Sequence, residues 1–221
     1  MRIWVTRAQP QAAATAERLK AMGHEPVVLP VIETRPLAFS IEDFADACAL
    51  AVTSQAAIAA IDPLVPKLCA MPVYAVGDAT ATAARDAGFE TVYSAAGKVG
   101  DLVALILASP SPGLILHASA REPAGDLVGA LNQAGRPARR LAIYETLPLK
   151  LGQIPDTIDG LMVHSAQAAK VIAASILPHQ AHRLTLYGLS TEAVLPLVQF
   201  KFAKIALAPF ANEQAILNLL A

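Results

Sequence analysis

The sequence predicts an α/β fold: two doubly wound parallel-sheet domains from an internal duplication. Three observations carry this. Strand-like and helix-like segments alternate along the chain, and the strands are near-continuous apolar runs, as in sheets covered by helices on both faces. The segment Val73–Gly88 (VYAVGDATATAARDAG) is echoed by 184–193 (LTLYGLSTEA), with Gly188 for Gly77 and Thr191 for Thr80. Each copy follows another strand and turn, 51–57 (AVTSQAA) and 162–168 (MVHSAQA), and 23 residues separate Ser54 from Gly77 just as they separate Ser165 from Gly188. The rest repeats as well: 6–34 lies over 117–146 so that Leu19, Gly23, Glu33 and Thr34 match Leu131, Gly135, Glu145 and Thr146. The chain reads A-B-A′-B′, a unit of about half its length used twice.

In chain order, Arg2 to Thr6 is a predicted strand. Pro10 suits the first turn of a helix whose apolar Ala12, Ala16, Leu19 and Met22 step by three or four before Gly23 ends it. A strand follows at 26–30, then an extended connector at 31–36 flanked by prolines, which disfavour helix. From Ile41 come a short helix, a strand at 49–53, a helix, a strand at 73–76, and a helix opened by Thr80 and stopped by the C-cap glycine Gly88. Further strands are expected at 91–94, 114–118 and 140–144, with helices at 101–108 and 126–134 between them. A second extended connector occupies 147–152. Strands at 161–164, 184–187 and 204–208, each followed by a helix, complete the chain at 212–220. The two connectors follow equivalent strands, so the repeats allow two assemblies, A with B′ and B with A′, or A with B and A′ with B′.

Apolar residues make up 55% of the 221 and charged ones 16%, which is ample for buried cores. The longest apolar run, Leu102 to Ala108, falls well short of the roughly 18 residues of a membrane helix, so a soluble protein is expected. The chain starts directly on a strand with no leader pattern, and Cys48 and Cys69 are lone thiols in apolar contexts, expected buried and reduced; both point to the cytoplasm. Seventeen basic residues nearly balance eighteen acidic ones, which gives no footprint for nucleic acid or an anionic membrane.

No Gly-x-Gly-x-x-Gly, Walker loop, Gly-x-Ser-x-Gly or metal-ligand spacing is present, which argues against a nucleotide or sugar-phosphate enzyme. His179 and His182 read as a surface turn. What recurs is a small hydroxyl residue at the carboxyl end of a strand: Thr6, Ser54, Ser119, Ser165 and Ser190, with Thr80 and Thr191 just inside the following helices. Taken singly, each is an ordinary helix cap contributing about 1 kcal/mol. Taken together they line the edge at which open α/β sheets bind ligands, where free N–H groups and helix dipoles attract anions. Arg7 and Arg121 lie just beyond equivalent strands and suit a carboxylate. Tyr144 breaks the repeat, since its counterpart in an otherwise matching stretch is Ile32; packing would explain a buried phenol, and so would a new hydrogen-bond donor.

These residues resemble the uroporphyrinogen-III synthase family over nearly the whole chain, through the opening Val5-Thr-Arg7, Val52-Thr-Ser54, 76–81 (VGDATA), Ile143 to Thr146 and the terminal strand–helix pairs. The family often has proline after the opening Thr-Arg, where this chain has Ala8, and Thr-Ser-Pro where it has His164-Ser-Ala166. The resemblance implies the swapped assembly: residues 1–35 plus 150–221 as a discontinuous domain, 38–146 as an inserted one, and a two-stranded linker at about 31–37 and 144–151, with the active site in the cleft. It implies that hydroxymethylbilane, a linear tetrapyrrole, loses water and closes to uroporphyrinogen III with its fourth ring inverted, through a spirocyclic intermediate, without metal or cofactor; nothing in the sequence demands a partner, so a monomer is expected. Tyr144 is the implied catalytic donor. Thr6, Arg7, Ser54, Gln55, Gly77, Thr80 and Ala81, with Ser119, Arg121, Ser165, Ala166, Gly188, Ser190 and Thr191, are the implied substrate contacts. The alternative is a non-catalytic tetrapyrrole-binding relative.

Overall fold

The computed structural model describes residues 1–109, 113–155 and 157–221. These divide into two compact units, unit 1 being Met1–Thr34 with Leu147–Ala221 and unit 2 being Arg35–Thr146. Unit 1 is a parallel sheet and unit 2 a mostly parallel one, in which the strand Ile32–Pro36 runs antiparallel to the strand Ala138–Pro148; helices cover both faces of each.

Unit 1 contains β1 (Arg2–Val5), α1 (Gln11–Ala21) and β2 (Glu25–Val28), then, after the excursion through unit 2, β9 (Gly160–Val163), α7 (Ala166–Ala173), α8 (Pro178–Ala181), β10 (Thr185–Gly188), α9 (Thr191–Val194), β11 (Lys204–Leu207) and α10 (Glu213–Leu217). The order across the sheet is β11-β10-β9-β1-β2, all pairs parallel. Strand periodicity divides the side chains cleanly. Trp4, Leu161, Val163 and Leu186 pack under α7 (Ala168, Ala169, Ile172), while Ile3, Val5, Met162 and Tyr187 pack under α1 (Ala12, Leu19) and α10 (Ile216, Leu217).

Unit 2 contains β3 (Ile32–Pro36), a 3-10 turn at Ile41–Phe44, β4 (Ala47–Val52), α2 (Gln55–Ile61), α3 (Val65–Leu68), β5 (Val73–Ala75), α4 (Asp78–Ala87), β6 (Val92–Ser94), α5 (Val99–Leu107), β7 (Leu114–Ala120), α6 (Leu127–Gln133) and β8 (Ala138–Pro148). Its order is β3-β8-β7-β4-β5-β6. Leu50, Val52, Val73, Ala75, Leu116 and Ala118 face α2 and α4, and Ala49, Ala51, Tyr74 and Ile115 face α5 and α6. Matching β6, β5, β4, β7 and β8 to β11, β10, β9, β1 and β2 superposes one strand order on the other, with β3 as the extra neighbour of β8.

Serine and its relatives close the helices at their amino ends, each accepting a backbone N–H: Ser54 from Ala56, Ser165 from Ala168, Ser190 from Ala193 and Asn212 from Ala215. Two local expectations change. The helix assigned to start at Thr80 starts at Asp78, because Gly77 takes the extended N-cap conformation and leaves Thr80 in the first turn; Gly88 ends that helix at φ +108. Cys48 and Cys69 are free but only half-buried, since both sit at the margins of their cores.

Gly160 starts β9 between β1 and β10, and a Cβ there would stand 2.8 Å from the Thr185 carbonyl oxygen and 2.9 Å from Tyr187 Cε2. A Cβ on Gly77 would meet nothing within 4 Å. Urea unfolding should therefore show Gly160→Ala destabilised by roughly 1–3 kcal/mol, because backbone oxygen cannot yield, whereas Gly77→Ala stays within about 0.5 kcal/mol of the parent.

Candidate functional site

In unit 2 the candidate residues gather at the ends of β4, β5 and β7 and in the middle of β8. After β4 the chain extends through Ser54 (φ −155) and turns into α2 at Gln55, whose Nε2 donates to the Ala79 carbonyl at 3.3 Å and ties the loop after β4 to the loop after β5. Gly77 follows β5 as the N-cap of α4, and its carbonyl accepts from Thr80 and Ala81, which are buried in the first turn. The N1 and N2 amides of a helix have no carbonyl four residues back, so Asp78 and Ala79 present backbone donors at this edge.

Tyr144 lies in the middle of β8, opposite Ala120, and its carbonyl accepts from Arg121 N at 2.8 Å. The side chain is 7% exposed and packs with Leu116, Ala118 and Ala57. Burial pushes the phenol pKa up, and a hydrogen bond with the Ser54 side chain opposes that shift. Ser54 Oγ accepts from Ala56 N–H at 3.1 Å. Ser119, by contrast, is buried with its hydroxyl donating to the Ala120 carbonyl.

In unit 1 the corresponding strand ends hold Ser165 and Ala166 at the start of α7, Gly188 at the end of β10, and Ser190 and Thr191 at the start of α9. Thr6 is fully buried and donates to the Met162 carbonyl at 2.6 Å. Arg7 is held by the protein itself: its Nη1 meets Glu213 Oε2 at 2.5 Å. Thr15 Oγ1 donates to Glu213 Oε1 at 2.5 Å, and His164 Nε2 lies 3.1 Å from Glu213 Oε2. His164 Nδ1 is buried without a protein partner. Burial alone would raise the Glu213 carboxyl; hydrogen bonds from His164 and Thr15 and the Arg7 charge overcome it and hold the group at about 2. Burial also keeps His164 below its usual range against the pull of Glu213, so at neutral pH the cation answering Glu213 is Arg7. Arg121 repeats the arrangement, its Nη1 2.8 Å from Glu145 Oε2.

The structure thus brings Ser54, Gln55, Gly77, Thr80 and Tyr144 together, and engages both arginines with protein carboxylates. Glu213, His164 and Thr15 were not legible as a cluster, because the bonds joining them span 49 to 206 residues of chain. Among the described residues no group of three or more His, Cys, Asp or Glu side chains is placed to hold a metal, and no helix is long and apolar enough to cross a membrane.

A family model described as uroporphyrinogen-III synthase HemD matches residues 13–218. The chain belongs to the uroporphyrinogen-III synthase family. The crystal structure of uroporphyrinogen-III synthetase from Helicobacter pylori 26695 is similar at TM-score 0.70 and 18% identity, over 99% of this chain and 97% of that one. A mutant uroporphyrinogen III synthase from the extremely thermophilic bacterium Thermus thermophilus is similar at TM-score 0.58 and 15% identity, over 100% and 97%. Both likenesses concern the fold. No curated protein sequence matches the chain. Within this member of the uroporphyrinogen-III synthase family, the Arg7–Glu213–His164 cluster occupies the stretch where His164-Ser-Ala166 departs from the family's Thr-Ser-Pro.

One more buried histidine sets a pH dependence. His117, on β7, is 2% exposed with Nε2 3.4 Å from Thr53 Oγ1, and burial together with the nearby Arg140 charge lowers its pKa to about 4. The unfolded chain binds this proton below about 6.5 while the folded chain refuses it, so stability is intact above that pH and is lost as pH falls towards 4, at about 1.4 kcal/mol per unit. Urea midpoints at pH 7 and 4.5 should converge in His117→Gln relative to the parent, by about 2 kcal/mol in unfolding free energy.

Proposed function

We propose that this protein closes hydroxymethylbilane to uroporphyrinogen III, with loss of water and inversion of ring D. The observation that carries the reading is the Tyr144 phenol: buried on β8, with a pKa that burial raises. Departure of the substrate hydroxyl as water is assisted by a proton donor, and a phenol well above pH 7 remains protonated to give a hydrogen bond to the leaving oxygen. The substrate's carboxylates are met by backbone N–H groups and hydroxyls, from Ser54, Gln55, Gly77, Thr80 and Ala81 in unit 2, and from Ser165, Ala166, Gly188, Ser190 and Thr191 in unit 1. Thr6, Arg7, Ser119 and Arg121 support these edges from within.

The bilane can cyclise unaided to the uninverted isomer, so the principal task is geometric: to hold the chain folded with the substituted carbon of ring D nearest the electrophilic methylene. Modest chemical help suffices. In this reading the enzyme is a cytoplasmic monomer that uses no cofactor.

The test couples the purified protein to a bilane source and separates the product isomers. The parent should give the type III isomer, and Tyr144→Phe should lower turnover roughly ten- to a thousand-fold while product affinity changes by less than about threefold. Type I product alone from the parent would overturn the assignment. A fully active Tyr144→Phe would remove the phenol from the chemistry and leave positioning as the whole mechanism.

A further inference from the structure

Among the described residues, the buried side-chain atoms without a protein partner are Arg136 Nε and Nη2, which are donors, and His164 Nδ1. His164 follows directly on β9 and precedes Ser165, the N-cap of α7, so it stands on the strand-end edge of unit 1. Its side chain is 7% exposed. The other ring nitrogen is engaged: Nε2 lies 3.1 Å from Glu213 Oε2.

The proton on this ring can be assigned from its surroundings. Glu213 also meets Arg7 Nη1 and Thr15 Oγ1, at 2.5 Å each. Despite burial its carboxyl is held at about 2 by the bonds from His164 and Thr15 and by the Arg7 charge, so at neutral pH it is a carboxylate and can only accept. Burial keeps His164 below its usual range against the pull of Glu213, so the ring is neutral and carries a single proton. Contact with the carboxylate puts that proton on Nε2. Nδ1 is left with a bare lone pair directed away from Glu213.

A buried acceptor without a donor is costly, and the bonds that converge on Glu213 hold the ring against turning to relieve it. The rest of this edge offers donors. The amides of Ala166 and Gln167 have no carbonyl one turn back, and the hydroxyls of Ser165 and Ser190, whose oxygens already accept from Ala168 and Ala193, are left to donate. Such groups answer carboxylates. His164 Nδ1 answers an N–H.

We propose that His164 Nδ1 accepts a hydrogen bond from a pyrrole N–H of the bound ligand, with Glu213 as the positioning residue that fixes the ring and its tautomer. This rests on the reading of the ligand as a tetrapyrrole, whose rings carry N–H groups that the carboxylate-binding donors leave unmet. Nδ1 is covered in the free protein and the adjoining residues Ser165 to Gln167 are half-buried, so docking shifts this turn to open the nitrogen.

Ring-nitrogen NMR of the isotope-labelled full chain, with and without uroporphyrinogen III under anaerobic conditions, tests this. In the free protein His164 should carry its proton on Nε2 and none on Nδ1, and saturating product should move the Nδ1 resonance towards the protonated range while Nε2 stays. His164→Phe should weaken product binding and raise KM about three- to tenfold with kcat within about twofold, as expected for one hydrogen bond made alike in ground and transition states. Glu213→Gln should let part of the population carry the proton on Nδ1, a change that loss of packing alone would not produce. A proton already on Nδ1 in the free parent, or an Nδ1 resonance that saturating product leaves in place, would overturn the proposal. Type III product from the parent with an unmoved Nδ1 sinks this inference alone, whereas type I product alone sinks the reading beneath it and the inference with it.

Discussion

A parallel sheet must return its chain by a crossover each time, and that single constraint sends every strand's carboxyl end to the same edge of its sheet. In both units the helices begin at that edge, so their unpaired amides and capping side chains collect there. Ser54, Gly77, Ser165 and Ser190 stand at such junctions because the fold needs a cap, and in the proposed function the same groups meet the substrate. This is why single hydroxyl residues here say little, while their recurrence across two units says a good deal.

The two arginines decide the electrostatic character of these edges. Arg7 and Glu213 are both largely buried, with side-chain exposures of 24% and 19%, and the carboxylate also answers Thr15 and His164. Removing one partner from such a pair leaves a desolvated charge, a far larger penalty than the pair's net contribution. Arg121 is 60% exposed and its bond to Glu145 is a surface pair, worth about 0–1 kcal/mol. Despite that difference the outcome is the same at both places: a guanidinium beyond a strand end is balanced by a carboxylate of its own unit. The donors left over at the edges are neutral N–H and O–H groups and the protonated phenol of Tyr144.

Much of the fold was legible because it rests on local rules and on repetition. Gly88 in a left-handed C-cap, serine before a helix and apolar strand runs are each visible in a few residues, and the 23-residue spacing joined them into units. Strand order was not legible at the same level, since the repeats alone allowed two assemblies; pairing of β1 with β9, at 157 residues' separation in the case of Arg2 and Asp159, is what makes unit 1 discontinuous. The Arg7–Glu213–His164 cluster failed to appear in the sequence for the same physical reason, as each bond joins distant segments. Tyr144 was visible by comparison with Ile32 and through the family resemblance; its burial in the core with Leu116 and Ala118 required the packing of β8. Cys48 and Cys69 misled because apolar neighbours in sequence do not place a residue at the centre of a core.

The central claim is that the anionic groups of a bound tetrapyrrole are taken by backbone amides at helix amino ends. Amide hydrogen exchange of the full chain with and without uroporphyrinogen III reads those amides directly. Asp78 and Ala79 at the start of α4, and Ala166 and Gln167 at the start of α7, have no carbonyl one turn back and should exchange rapidly in the free protein. Uroporphyrinogen III should slow exchange in the segments 77–81 and 165–168 by about tenfold or more while the sheet cores stay unchanged. Protection confined to other segments, with these two exchanging as fast as before, would contradict it.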